Sequence, residues 1–360
     1  QICSAQPKTA KQNLTKADKE RVAKETDALV KAYTDLDIFS GVVLIAQDGK
    51  PFYHKAFGLA NRETKTPNTI NTRFDIGSMN KSFTKVIVLQ MVNEGKLKLS
   101  DPLGKYLDGF RPEAAKKVTL EQLLNHTSGY SDYHTPEYFE LPISEKTLAN
   151  IIQIIQKLPL MFEPGTAQAY SNAGYVLLGG IIEKASGKPY YQNVRERIVK
   201  PLGLKNTYLE DKYNVPQRAI GYLYTMRGEL ENNEGFQENP TPAGGFYATT
   251  TDLLTFYRAY HYGNKLWDES TRSLDDFYSF YQEHQNTGGA MMHAGGFNGA
   301  NTVLFEILRD QISVIVLANM DEPVAEQLGT GILAIIRGKQ PEPPVLPARM
   351  LVYQSFKEKG

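Results

Sequence analysis

At 360 residues the chain is long enough for two ordinary domains, or for one large α/β domain carrying an insertion. Its 41% hydrophobic and 22% charged residues describe a globular chain with a substantial core, and a net charge of +0 leaves no electrostatic footprint for nucleic acid or an anionic membrane. The single cysteine, Cys3, excludes an internal disulfide framework and a cysteine-rich metal site, and no run reaches the length of a transmembrane helix.

Gln1-Ile2-Cys3-Ser4-Ala5-Gln6 carries the small residues found around a signal-peptide cleavage site, so residues 1–16 read as a leader. A secreted or periplasmic location is the expectation, with a cytoplasmic one left open; Cys3 as a lipid anchor is the weaker reading. Thr15-Lys16-Ala17-Asp18 is a capping box opening a helix, on which Val22, Thr26, Leu29, Val30 and Tyr33 share one face. Two β-rich runs, Gly41 to Ala46 and Pro51 to Phe57, flank Asp48-Gly49, a hairpin signal because that pair accepts positive φ.

From Ser78 to Tyr260 the chain reads as helices and long polar loops, with helical periodicity over Phe83 to Glu94 and Leu148 to Lys157. Strand character returns in Asn301 to Leu308 and Ile312 to Ala318; the second run is nearly continuously apolar, as a buried central strand requires. A helix over Val324 to Arg337 follows, and Pro341-Glu342-Pro343-Pro344 should end regular structure and begin a tail. The fold class is therefore α/β (α+β): an antiparallel sheet built from both chain ends, flanked by the terminal helices, with an inserted mainly helical domain and a cleft at the join. The expected boundaries are 1–16 for the leader, 17–77 and 286–340 for the sheet part, 78–285 for the helical part, and 341–360 for the tail.

Several chemistries are missing. There is no Gly-x-Ser-x-Gly elbow, His-Glu-x-x-His, Walker loop or dinucleotide fingerprint, and His54, His126, His134, His261, His284 and His293 lack metal-ligand spacing. No cofactor or metal is expected. Ser-x-x-Lys occurs twice, at Ser78-Met79-Asn80-Lys81 and Ser82-Phe83-Thr84-Lys85. Only Ser78 falls where a helix begins, so that free backbone N–H groups and the helix dipole favour a developing alkoxide. Lys81, one turn on, shares its face, and partial desolvation would let it act as a base near neutral pH.

Tyr-x-Asn occurs at Tyr170, Tyr191 and Tyr262; Tyr170-Ser171-Asn172 alone stands in a loop entering a helix, whereas Tyr191 reads as core and Tyr262 trails a helix end. His-x-Gly occurs at His261, which reads as a helix C-terminus, and at His293-Ala294-Gly295-Gly296, just before the last hairpin. Small residues there let a substrate lie against strand backbone, whose amides can serve an oxyanion. His126, in Asn125-His126-Thr127-Ser128-Gly129, reads as a structural hydrogen-bonder.

Taken together, Ser78-x-x-Lys81, Tyr170-x-Asn172 and His293-x-Gly295 resemble, in order and spacing, the three signatures of the serine β-lactamase and penicillin-binding-protein superfamily. The tyrosine of the second motif is similar to the class C β-lactamase, DD-peptidase and family VIII esterase branch. Leu123 to Gly129, Pro201-Leu202-Gly203-Leu204 and Pro242-Ala243-Gly244-Gly245-Phe246 extend the likeness over most of residues 17–340. The resemblance implies a β-lactamase/transpeptidase-like fold with Ser78 as nucleophile, and Lys81 and Tyr170 sharing its proton. It also implies substrate contacts from Asn172, His293, Gly295 and Gly296, and an oxyanion hole formed by the N–H groups of Ser78 and Gly296.

The third motif departs from the β-lactamase pattern in beginning with histidine rather than lysine, which weakens recognition of a substrate carboxylate. The leading function is a serine hydrolase that forms an acyl-enzyme and cleaves an amide or peptide bond, like a DD-peptidase or D-aminopeptidase. A carboxylesterase or weak β-lactamase with the same site is the alternative, and a non-catalytic penicillin-binding-like regulatory module is the alternative of another class. The expected partner is a small-molecule or peptide substrate and no nucleic acid; the oligomeric state is not read.

Overall fold

Thr15 caps the first helix, α1 (Lys16–Asp35): its hydroxyl accepts the Asp18 N–H while the Asp18 carboxylate accepts the Thr15 N–H, and Val22, Thr26, Leu29, Val30 and Tyr33 form the buried face. These elements come from a computed structural model that describes residues 10–351 except 237, 276 and 349; Cys3, most of the leader and residues 352–360 lie outside the described residues. The described end of the leader is tied down, the Gln12 N–H to Asp310 and the Leu14 N–H to Gln47.

After α1 come β1 (Gly41–Gln47) and β2 (Lys50–Phe57), joined through Asp48 and Gly49, both at positive φ (52° and 71°). The helical block contains α2 (Lys81–Asn93), α3 (Leu148–Lys157), α4 (Asn172–Ser186) and α5 (Thr250–His261). The chain then returns to the sheet as β3 (Ala290–Phe297), β4 (Ala300–Ile307) and β5 (Ile312–Ala318), and ends this unit with α6 (Val324–Ile336). The five strands lie in the order β2-β1-β5-β4-β3, every pairing antiparallel, with Ala318 opposite both Gly41 and Asn301. The sheet is thus built from both chain ends, and the apolar run of β5 is its centre, buried along its whole length.

Alternation along the strands divides the core between the two faces. Val43, Ile45, Val303, Val314 and Val316 face α1 and α6, where Val30, Leu328 and Ile332 meet them. Val42, Leu44, Leu304, Ile315 and Leu317 face the helical block and join Phe83, Ile87, Leu177 and Phe256. One strand is longer than foreseen: the sequence put strand backbone at Gly295 and Gly296, after His293, whereas β3 begins at Ala290 and takes in His293 as well. Regular structure also runs past the Pro341–Pro344 stretch. A helical turn follows Pro347, whose carbonyl accepts the N–H groups of Met350 and Leu351, and Leu346 and Met350 pack on the α1–α6 side of the core.

The helical block hangs on α2. Phe83 is fully buried, stacked on Phe256 with ring centroids 3.8 Å apart and edge-on to Phe246 at 5.7 Å. Phe83→Ala should therefore cost about 3–5 kcal/mol, the range for emptying a buried aromatic site. The midpoint of a urea unfolding curve followed by tyrosine fluorescence measures it; an unchanged midpoint would mean that α2 is not anchored this way.

Candidate active site

Ser78 does not begin α2. It lies in a 3₁₀ turn, Gly77–Asn80, and the α-helix starts at Lys81, so the expected helix N-terminus is displaced by one tight turn. The reason is β3, which presses on this turn backbone to backbone. A Cβ on Gly295 would stand 2.1 Å from the Ile76 carbonyl oxygen and 2.8 Å from the Ser78 nitrogen, so only glycine permits the approach. The Thr302 hydroxyl shares its one hydrogen between the Gly295 carbonyl at 3.0 Å and the Ile76 carbonyl at 3.3 Å, pinning turn to sheet.

The half-buried Ser78 Oγ lies 3.0 Å from Lys81 Nζ and accepts the Tyr170 hydroxyl at 2.5 Å. Lys81 Nζ also donates to Asn172 Oδ1 at 2.7 Å and to the Ala243 carbonyl at 2.6 Å. Asn172 is oriented by its other end, where Nδ2 donates to Asp132 Oδ2 at 3.0 Å. Both carbonyl partners of Lys81 are pure acceptors, so a neutral Lys81 that keeps its two N–H groups on them turns its lone pair toward the one partner that carries a hydrogen, the Ser78 hydroxyl. Burial pushes the Lys81 amine down to about 7, against the field of Asp132. The Tyr170 phenol is raised above its usual value, first by desolvation and then by the charges of Asp132 and Glu322, against the bond to Ser78.

His126 is placed as a positioning group. Its Nδ1 accepts the Ser171 N–H at 3.1 Å and its ring lies 4.7 Å from that of Tyr170, while burial and the charges of Lys81 and Lys85 lower it to about 4. The second Ser-x-x-Lys stays out of the site: Ser82 meets the Tyr257 hydroxyl, and Lys85 pairs with Asp275 at 3.1 Å inside the core.

His293 is the departure. It was expected to meet the substrate, but its Nε2 lies 3.2 Å from His261 Nε2, its ring packs 4.3 Å from Tyr257, and burial lowers it to about 3. A neutral imidazole packed on α5 offers no charge to a substrate carboxylate. Gly295 serves the turn, and Gly296 reaches the cleft, a cavity of about 110 Å³ that is also lined by Ser78, Asn172, Tyr133, His134, Glu238, Lys212 and Phe297.

The acidic and basic groups of this cavity were not read from the sequence. His134 Nδ1 lies 2.6 Å from Asp132 and Nε2 3.5 Å from Glu238. Burial opposes its charge, but the two carboxylates prevail and raise it to about 9. Asp75, whose carboxylate accepts the Gly77 N–H at 2.8 Å, is raised to about 6 by burial. Lys212 is lowered by burial and donates to the Phe236 carbonyl. Asp132, His134 and Glu238 stand in polar loops, Asp75 in a two-residue strand and Lys212 in a 3₁₀ turn, and none has a spacing to recognise.

With this geometry in hand, comparisons with known proteins place the chain. The family model described as "Beta-lactamase" matches residues 26–335. Penicillin-binding protein 4* of Bacillus subtilis is 30% identical over 340 residues, covering 84% of this chain and 73% of that one. The teichoic acid D-alanine hydrolase of Staphylococcus aureus is 30% identical over 225 residues, 62% of this chain and 55% of that one, so the chain spans about half of that relative. Among solved structures, the octameric penicillin-binding protein homologue from Pyrococcus abyssi superposes with a TM-score of 0.75 at 25% identity, covering 89% of this chain and 78% of that one.

The ionisation pattern is directly measurable. At pH 7.5 the ring nitrogens of His134 should read as imidazolium and those of His126 as neutral imidazole in ¹⁵N NMR, since their values of about 9 and about 4 lie on either side of that pH. Glu238→Gln should move the His134 midpoint downward; a His134 that is already neutral at pH 7.5 would show that the two carboxylates do not share it.

Proposed function

The chain belongs to the beta-lactamase family of serine hydrolases, and we propose that within it this protein cleaves an amide or peptide bond through an acyl-enzyme on Ser78. The reading rests on one observation, the Ser78 hydroxyl held between Lys81 Nζ and the Tyr170 hydroxyl. Neutral Lys81 takes the Ser78 proton as Oγ attacks the carbonyl carbon, and the oxyanion lies against the N–H groups of Ser78 and Gly296. Tyr170, protonated because its phenol is raised, gives its proton to the departing nitrogen or oxygen, and the proton held by Lys81 restores it. Water then repeats the sequence in reverse and frees Ser78.

Asn172 supports an amide substrate. Its oxygen is held by Lys81 and one amide hydrogen by Asp132, which leaves the second hydrogen free for a substrate acylamide oxygen. The names of two relatives, a penicillin-binding protein and a D-alanine hydrolase, agree with acyl groups containing D-residues. The same residues serve an ester, whereas turnover of a carboxylate-bearing β-lactam is disfavoured by the neutral, inward-turned His293. A secreted or periplasmic location fits this reading; no helix among the described residues is long and apolar enough to cross a membrane.

Ser78→Ala should lower turnover of an activated acyl ester or anilide by at least about 10³-fold. An acylating β-lactam or ester probe should add its acyl mass to Ser78 in wild type only. Equal rates in both proteins would remove the proposal. Because the base must be neutral, and the Lys81 amine is lowered to about 7, the acylation rate should climb with rising pH through about 7 and level off above it. A rate that falls over that range would exclude Lys81 as the base.

A further inference from the structure

Gly295 and Gly296 face opposite sides of the sheet edge. Gly295 meets the Ser78 turn, whereas Gly296 meets a carboxylate: a Cβ built there would stand 1.4 Å from Glu322 Oε1, so the Glu322 side chain lies directly against the Gly296 backbone. Glu322 comes from the connection between β5 and α6 and is exposed. Among the described residues it has no hydrogen bond or ion pair, and its charged neighbours there, Asp321 and Glu326, are of like sign.

Its position relative to Tyr170 gives the carboxylate a meaning. The charge of Glu322 bears on the Tyr170 hydroxyl, and neither residue lines the cavity that Asn172, Tyr133 and Phe297 surround. The group that hands a proton to the departing atom lies on the side from which that atom leaves. The acyl portion therefore fills the cavity, and the leaving portion crosses the edge between Tyr170 and Glu322. The basic groups of the site are engaged elsewhere: Lys81 with Ser78, Asn172 and Ala243, Lys212 with the Phe236 carbonyl, and His134 with Asp132 and Glu238.

We propose that Glu322 determines the charge of the leaving portion, so that the site releases neutral or cationic leaving groups, such as amines, amides and amino alcohols, and turns away those bearing a carboxylate. The inference rests on the Ser78 acyl-enzyme reading and narrows its substrate class. A carboxylate brought past this edge meets an unpaired charge of like sign across a partly solvated gap, a repulsion worth about tenfold in rate.

The test uses two acetyl esters, of para-hydroxybenzoate and of para-hydroxybenzamide, which differ only in carboxylate against carboxamide. After each rate is divided by its hydroxide-catalysed rate, wild type should prefer the carboxamide in kcat/KM by about tenfold at low ionic strength, and Glu322→Gln should erase most of that preference. Glu322→Lys should reverse it, and about 0.5 M salt should compress it in wild type without any mutation. A preference that neither Glu322→Gln nor salt changes, in an enzyme whose turnover still requires Ser78, overturns the assignment. Turnover that survives Ser78→Ala instead overturns the acyl-enzyme reading beneath it.

Discussion

The backbone contact between β3 and the Gly77–Asn80 turn is the constraint on which the rest of the site depends. Two parts of the chain more than two hundred residues apart meet there with no side chain between them, because Gly295 leaves the Ile76 carbonyl and the Ser78 nitrogen free to approach. A rigid join of this kind puts the Ser78 and Gly296 N–H groups at one edge. It also fixes α2, whose first residue is Lys81, against α4, whose first residue is Asn172. The Lys81–Asn172–Asp132 chain of hydrogen bonds is then a consequence of where those two helices begin.

Burial does the chemical work within that frame. Enclosing an amine disfavours its charge, and Lys81 falls to about 7 although Asp132 pulls the other way. His134 and Asn172 both donate to Asp132, and His134 carries the compensating charge. A second carboxylate, Glu238, keeps His134 protonated, so the acid cluster beside Ser78 carries its own counter-charge.

The sequence made the fold legible where period and length are strong. The β1–β2 hairpin, the apolar β5, the capping box of α1 and the buried face of that helix all carry local signals that tertiary packing only reinforces. It was least legible in β3, where glycines needed for close approach remove the very side chains that mark a strand. The Ser78-x-x-Lys81 pair could be found because its lysine lies one turn from its serine. Asp132, His134, Glu238 and Glu322 could not, since each comes from a loop and gains its role only from neighbours distant in the chain.

The inward turn of His293 has a physical origin in the motif that the site does not use. Lys85, from the second Ser-x-x-Lys, is buried behind α2, and its counter-charge is Asp275, which also accepts the Tyr260 hydroxyl. Tyr260, Tyr257 and His261 of α5 form the wall on which His293 rests. Asp275 favours a charge on His293 and Lys85 opposes it, and burial outweighs both. A lysine at 293 would bring a second ammonium into the enclosure beside Lys85, where burial makes a charge more costly than a neutral ring. Histidine, able to shed its proton, is the basic residue that fits. Histidine at 293 adds no charge to the edge of β3, and Glu322, lying against Gly296, is the charge proposed to meet a departing group.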